Sequence, residues 1–139
     1  MKQQANQSCQ VPAPQSVQVT ILYNAMMANQ AKYQIGHMAW LMDNQDLARR
    51  FFDFADANRL KNVSVSARFI IERFRWLSGI REYKGREFAE YKISNGIIPT
   101  LAHSYNDSPG RKDFFITKET AKLTVPPGYT NISKLNFRN

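Results

Sequence analysis

The sequence predicts a mainly α fold: a compact domain of about four helices with a short β element, a disordered amino-terminal tail and an extended carboxyl-terminal tail. Two observations carry that prediction. Apolar residues recur at helical spacing in the runs beginning near Leu47, Ala67 and Ile98, and, Pro99 in a first turn apart, Gly or Pro punctuates the chain between runs rather than within them. At 139 residues with 43% hydrophobic content, the chain supplies one core and not two.

Residues 1–15 are rich in Gln and Asn, and Pro12 and Pro14 oppose regular structure, so this stretch reads as a disordered tail. The helical domain is expected over 16–116. Val17, Val19 and Ile21 alternate like a strand, whereas Ile21, Leu22, Ala25, Met26 and Ala28 repeat like a helix. The Ala and Met content and Ser16 as N-cap favour a helix through about Tyr33, with Gly36 ending or bending it. Met38, Trp40, Leu41 and Met42 follow as a small apolar cluster.

Asn44 is the expected N-cap of a second helix reaching about Ala57, with Leu47, Ala48, Phe51, Phe54 and Ala55 on its buried face. Asp46 suits the positive end of that helix. Ser66 caps the third helix, Ala67 to Leu77. It carries Ala67, Ile70, Ile71, Phe74 and Leu77 on one face, Phe69 and Trp76 on a flank, and Arg68, Glu72 and Arg75 as a narrow polar stripe. So apolar a helix is expected at the centre of the domain, with Phe69 and Trp76 joining its core. Beyond Gly79, Ile80 to Arg86 reads as a charged loop and Phe88 to Ile93 as a short strand. Asn95-Gly96 marks a turn. Ile97 to Tyr105 forms the last helix, with Pro99 tolerated in its first turn. Phe114-Phe115 is expected to anchor the chain on the core, and residues 117–139 to run extended.

The formal net charge is +8, and residues 68–112 hold nine basic against five acidic groups, or +4. That bias fits a polyanionic partner. Cys9 is the sole cysteine, which excludes an internal disulfide and fits a reducing cytoplasm. The absence of a signal-like run or of ~20 consecutive apolar residues predicts a cytoplasmic protein without membrane attachment. His37 and His103 do not form a metal spacing with Cys9, and no phosphate loop occurs, so neither cofactor nor metal is expected. Ser104 or Ser108 with His103 lacks relay geometry on one helix.

The blocks Ile70 to Trp76 (Ile-Ile-Glu-Arg-Phe-Arg-Trp), Glu90 to Asn95 (Glu-Tyr-Lys-Ile-Ser-Asn), Leu101-Ala102, and Pro109 followed by Phe114-Phe115 resemble a small uncharacterised family of phage and prophage proteins. That family carries a Glu-x-x-Arg-Trp helix, a Tyr/Phe-Lys-hydrophobic-Asn-Asn segment and an Ala-Arg pair. This chain departs from it at Ser94-Asn95-Gly96 and at His103, where an Arg is common. The resemblance implies a phage-type origin and action in a bacterial host cell; the family has no assigned activity.

The leading expectation is a non-enzymatic nucleic-acid binder, of DNA or RNA, working mainly through phosphate contacts. Arg73, Arg81, Lys84, Arg86 and Lys92 would contact phosphates, with Tyr83 and Tyr91 as stacking partners. The segment order also suits a helix-turn-helix variant whose last helix enters a groove. The alternative is a module that docks on an acidic host protein through the Met38 to Met42 cluster. A metal-dependent nuclease built on Asp53, Asp56 and Glu72 ranks third.

Overall fold

A computed structural model of the chain describes residues 8–83, 93–118 and 123–138. Within them the fold is mainly α, with five helices and two short strands. The helices are α1 (Val17–Met27), α2 (Ile35–Asp43), α3 (Gln45–Leu60), α4 (Ala67–Tyr83) and α5 (Ile97–Asn106). The strands β1 (Ser8–Pro12) and β2 (Lys134–Arg138) pair in parallel, with Cys9 opposite Leu135 and Val11 opposite Phe137.

That pairing corrects the expectation of a disordered tail over residues 8–15. Val11 is wholly buried in the core, and the Gln45 side chain holds the next residues: its Nε2 donates to the Ala13 carbonyl and its Oε1 accepts from the Gln15 amide, both at 2.8 Å. Composition argued for disorder, but β2 is a pairing partner more than a hundred residues away along the chain. The alternation at Leu135 and Phe137 belongs to that strand. The strand expected over Phe88 to Ile93 lies outside the described residues, Ile93 excepted.

Ser16 caps α1 as expected, its Oγ accepting the Val19 amide at 3.1 Å. The helix stops at Met27 instead of Tyr33. Asn29 turns its amide onto the Ala25 carbonyl at 2.7 Å, and Tyr33 swings into the core so that its hydroxyl donates to Asp107 at 2.6 Å. Lys32 pairs with the same carboxylate at 2.9 Å. Gly36 does not end α1; it lies in the first turn of α2. The apolar cluster from Met38 to Met42 is part of that helix and is buried.

Helix α3 starts after Asn44, although the Asn44 side chain donates to the Trp40 carbonyl and does not cap. Leu47, Ala48, Phe51, Phe52 and Ala55 form its buried face, and Arg49 and Arg50 pair with Asp46 and Asp53 along its outer side. Asn62, at φ 57°, takes the left-handed conformation that closes the α3 terminus. Ser66 Oγ then accepts the Phe69 amide at 3.0 Å and opens α4, whose backbone stays helical through Gly79 to Tyr83.

The most enclosed long segment is α5, not α4. Eight of its ten residues are buried; Ser104 Oγ donates to the Leu101 carbonyl at 3.0 Å, and just beyond the helix Ser108 Oγ donates to the Ser104 carbonyl at 2.8 Å. By contrast α4 buries Ala67, Ile70, Ile71 and Phe74, while Arg68, Phe69, Glu72, Arg73, Trp76 and Leu77 are exposed. Helical periodicity identifies the buried stripe of a helix; it does not reveal whether a second neighbour covers the flank.

The segment after residue 123 docks on α2. Its anchor is Gly36, where an added methyl would meet the Val125 side chain and lie 2.5 Å from the Tyr129 carbonyl oxygen. His37, fully buried beside it, accepts the Gln34 amide at Nδ1 (3.0 Å), which leaves the proton on Nε2 to donate to the Thr124 carbonyl at 2.9 Å. Tyr129 completes the contact, donating its hydroxyl to Asp43 at 2.7 Å. Gly36→Ala is expected to lower stability by about 1–3 kcal/mol through overpacking, despite the better helix propensity of Ala, as read from the urea midpoint. Burial lowers the His37 pKa, with the Thr124 hydrogen bond opposing it more weakly. The unfolded chain therefore takes up the proton first, and this contribution to stability, complete at neutral pH, fades as pH falls below about 6.5. Urea midpoints compared between about pH 7 and pH 5.5 should drop more for the native chain than for His37→Gln.

Candidate nucleic-acid interface

The expected phosphate-binding set begins on α4 and continues beyond it. Arg73 is exposed on the outer surface of the helix, its guanidinium 5.9 Å from the centre of the Phe54 ring of α3. Arg81 and Tyr83 fall in the last turn of α4, where the backbone alone is described. Lys84, Arg86, Tyr91 and Lys92 lie outside the described residues. Of the set, Arg73 alone has a described side chain.

Arg68 and Arg75, the other arginines of α4 whose side chains are described, share an acidic partner. Glu72 accepts from Arg75 at 2.8 Å and stands 3.8 Å from Arg68, as the i, i+3 and i, i+4 spacings predict. Arg75 also donates to the Ile93 carbonyl at 2.6 Å and to Asn95 Oδ1 at 3.0 Å, pinning the entry to α5 against α4. Arg73 stands apart. Among the described residues no carboxylate lies within ion-pair distance of it.

Two large aromatics share this surface, against expectation. Phe69 is 52% exposed and Trp76 64%, where core positions were predicted for both. Phe69 tilts against Phe54 with ring centres 6.4 Å apart, so its position is fixed by α3. With Glu72, Arg73 and Arg75 the two rings line an open depression of about 580 Å³. Their positions on a flank, away from the stripe through Ile70 and Phe74, were the one sequence signal that pointed to exposure.

Several other expectations are corrected here. The last helix cannot enter a nucleic-acid groove, because Thr100, His103 and Ser104 are buried and Asn106 exchanges hydrogen bonds with the Phe115 backbone, both at 2.9 Å. Met38, Trp40 and Met42, the anchor assigned to protein docking, are each no more than 5% exposed. The carboxylates of the nuclease reading do not converge. Asp53 accepts from Gln18 and Arg49, Glu72 serves Arg68 and Arg75, and Asp56 belongs to a different cluster. Among the described residues no group of acidic, histidine and cysteine side chains is arranged to hold a metal.

The Asp56 cluster joins three parts of the fold behind this surface. Arg111 donates to both Asp56 oxygens at 2.9 Å through Nε and Nη2, the Tyr105 hydroxyl donates to Asp56 Oδ1, and Arg59 Nε lies 3.1 Å from that hydroxyl. The Arg111 guanidinium also stacks 4.6 Å from the Phe52 ring centre. Arg111 is thereby committed to the fold. Burial by itself raises the Asp56 pKa, but the hydrogen bonds of Arg111 and Tyr105 and the charges of Arg111 and Arg59 outweigh it and hold the carboxyl below its ordinary value. Burial, then the bond to Asp56, pushes the Tyr105 hydroxyl up to about 12.

No protein-family model matches the chain, and comparison with curated proteins and with solved structures likewise yields no match. Among the described residues no helix is long and apolar enough to cross a membrane.

Because its folded pKa is depressed, Asp56 contributes stability that is complete above the unfolded value of about 3.9 and is lost as pH falls through the folded value. Asp56→Asn should cost about 2–3 kcal/mol at neutral pH, leaving Arg111 half-paired, and should flatten the acid limb of a stability-versus-pH curve. An unchanged acid limb would show that the cluster does not set it.

Proposed function

We propose that this chain is a non-enzymatic protein that binds nucleic acid mainly through its phosphates, using Arg73 on α4 and the cationic run Arg81, Lys84, Arg86 and Lys92 that follows. Arg73 carries the reading. It is an exposed guanidinium held against Phe54, with no carboxylate of the described residues in reach, on a helix whose other paired arginines share Glu72. An unneutralised cation on a rigid helix meets a phosphate without first breaking an internal ion pair. The net charge of +8 adds a field that draws polyanions to the surface. Action in the cytoplasm of a bacterial cell, as a protein of phage type, is compatible with this chemistry.

Phosphate binding releases counterions, so affinity for duplex or single strands should fall steeply between about 50 and 200 mM salt. Fluorescence anisotropy of labelled oligonucleotides measures the slope. In Arg73→Ala the log–log slope should shrink by roughly one unit, and more when Arg81, Lys84 and Arg86 are also replaced. Absence of binding to every oligonucleotide at low salt would overturn the proposal.

A further inference from the structure

We infer that the ligand of this surface is a single strand, whose unpaired bases stack on Trp76 and Phe69 of α4 while Arg73 holds a phosphate of the backbone between them; this rests on the phosphate-binding reading above.

The geometry begins with helix periodicity. Phe69 and Trp76 are seven residues apart, which places them about 20° out of line on one helical face and about 10.5 Å apart along the axis. That separation is roughly three times the ~3.4 Å rise of stacked bases in a strand. Arg73 falls between the two rings in sequence and lines the same depression. A base on each ring therefore leaves the intervening backbone beside the guanidinium.

Exposure is the second element. With Trp76 at 64% and Phe69 at 52%, each ring offers area that the core does not use, while Phe54 holds Phe69 in place from behind. Exposed aromatics next to a cation with no described carboxylate partner suit a ligand that is flat, apolar on its faces and negatively charged along its edge. Unpaired bases on a phosphate backbone have that combination; in a duplex the faces are already stacked on each other. An apolar protein partner would use the rings but leave Arg73 unmatched, so the charge favours the nucleic acid.

The chain has two tryptophans, and Trp40 is 5% exposed, so ligand-dependent change in emission reports on Trp76. The full chain is titrated with oligothymidylate, oligouridylate and a mixed-sequence duplex, each of about 16 units, the upper end of a compact single-strand site. The single strands are expected to bind at least about tenfold tighter than the duplex and to quench tryptophan emission. Comparing the two single strands distinguishes DNA from RNA as the source of the bases. Trp76→Ala should weaken single-strand binding about 5- to 150-fold with an unchanged salt slope, because no charge is lost. Trp76→Phe should retain most of the affinity while losing the quenching, which separates stacking from a structural role. Both variants replace an exposed side chain, and a melting temperature near that of the native chain verifies that they fold. Salt-dependent binding with equal affinity for duplex and single strands and silent Trp76 emission would overturn the stacking inference and leave phosphate binding standing. Binding unaffected by Trp76→Ala would overturn it too, and lack of any oligonucleotide binding overturns both.

Discussion

Asp56 is the group on which this fold converges. One carboxylate on α3 receives a two-pronged guanidinium from Arg111 and a hydroxyl from Tyr105 of α5, with Arg59 at its side. Such a forked pair fixes both distance and orientation. Here it fixes the path of the chain after α5, because Arg111 must lie over Phe52 to reach Asp56. That path returns Phe114 and Phe115 to the Tyr105 ring, with ring centres 5.6 and 5.3 Å away. The polar cluster sits at the edge of an aromatic one, and each holds the other in register.

The same constraint explains why α4 has a free side. With α5 enclosed by α1, α4 and the returning chain, the core is filled by Leu22, Met26, Phe51, Ile97, Leu101 and Tyr105. What remains for α4 is one stripe, Ile70, Ile71 and Phe74. The outer residues of α4 then combine three features: two exposed rings, an arginine lacking a described carboxylate partner, and a fixed helical spacing between them. Arg75 keeps the surface in place by tying α4 to the residues that lead into α5.

The two ends of the chain are held by a different device. Backbone pairing of β1 with β2, the close approach at Gly36 and the neutral His37 together clamp the terminal segments onto α2. Two of these three depend on small or uncharged groups, so the clamp is sensitive to a methyl or to a proton. The pairing of strands so far apart has no local signature.

The mainly helical class, the caps at Ser16 and Ser66, the Glu72 pairs with Arg68 and Arg75 and the limits of α5 were legible, because each depends on neighbours within a turn or two; of the face expected for α3, Leu47, Ala48, Phe51 and Ala55 are buried, but Phe52 takes the buried place expected for Phe54. The Phe114-Phe115 anchor was legible too, as a pair too apolar to remain in water. What only the tertiary structure decided was which helix is enclosed, where β1 finds its partner, and that Arg111 belongs to Asp56 while Phe69 and Trp76 face outward. Local periodicity shows which residues share a face. Whether that face meets another element depends on partners distant in the chain, and for α4 that difference separates a fully enclosed helix from one that keeps two aromatic rings exposed.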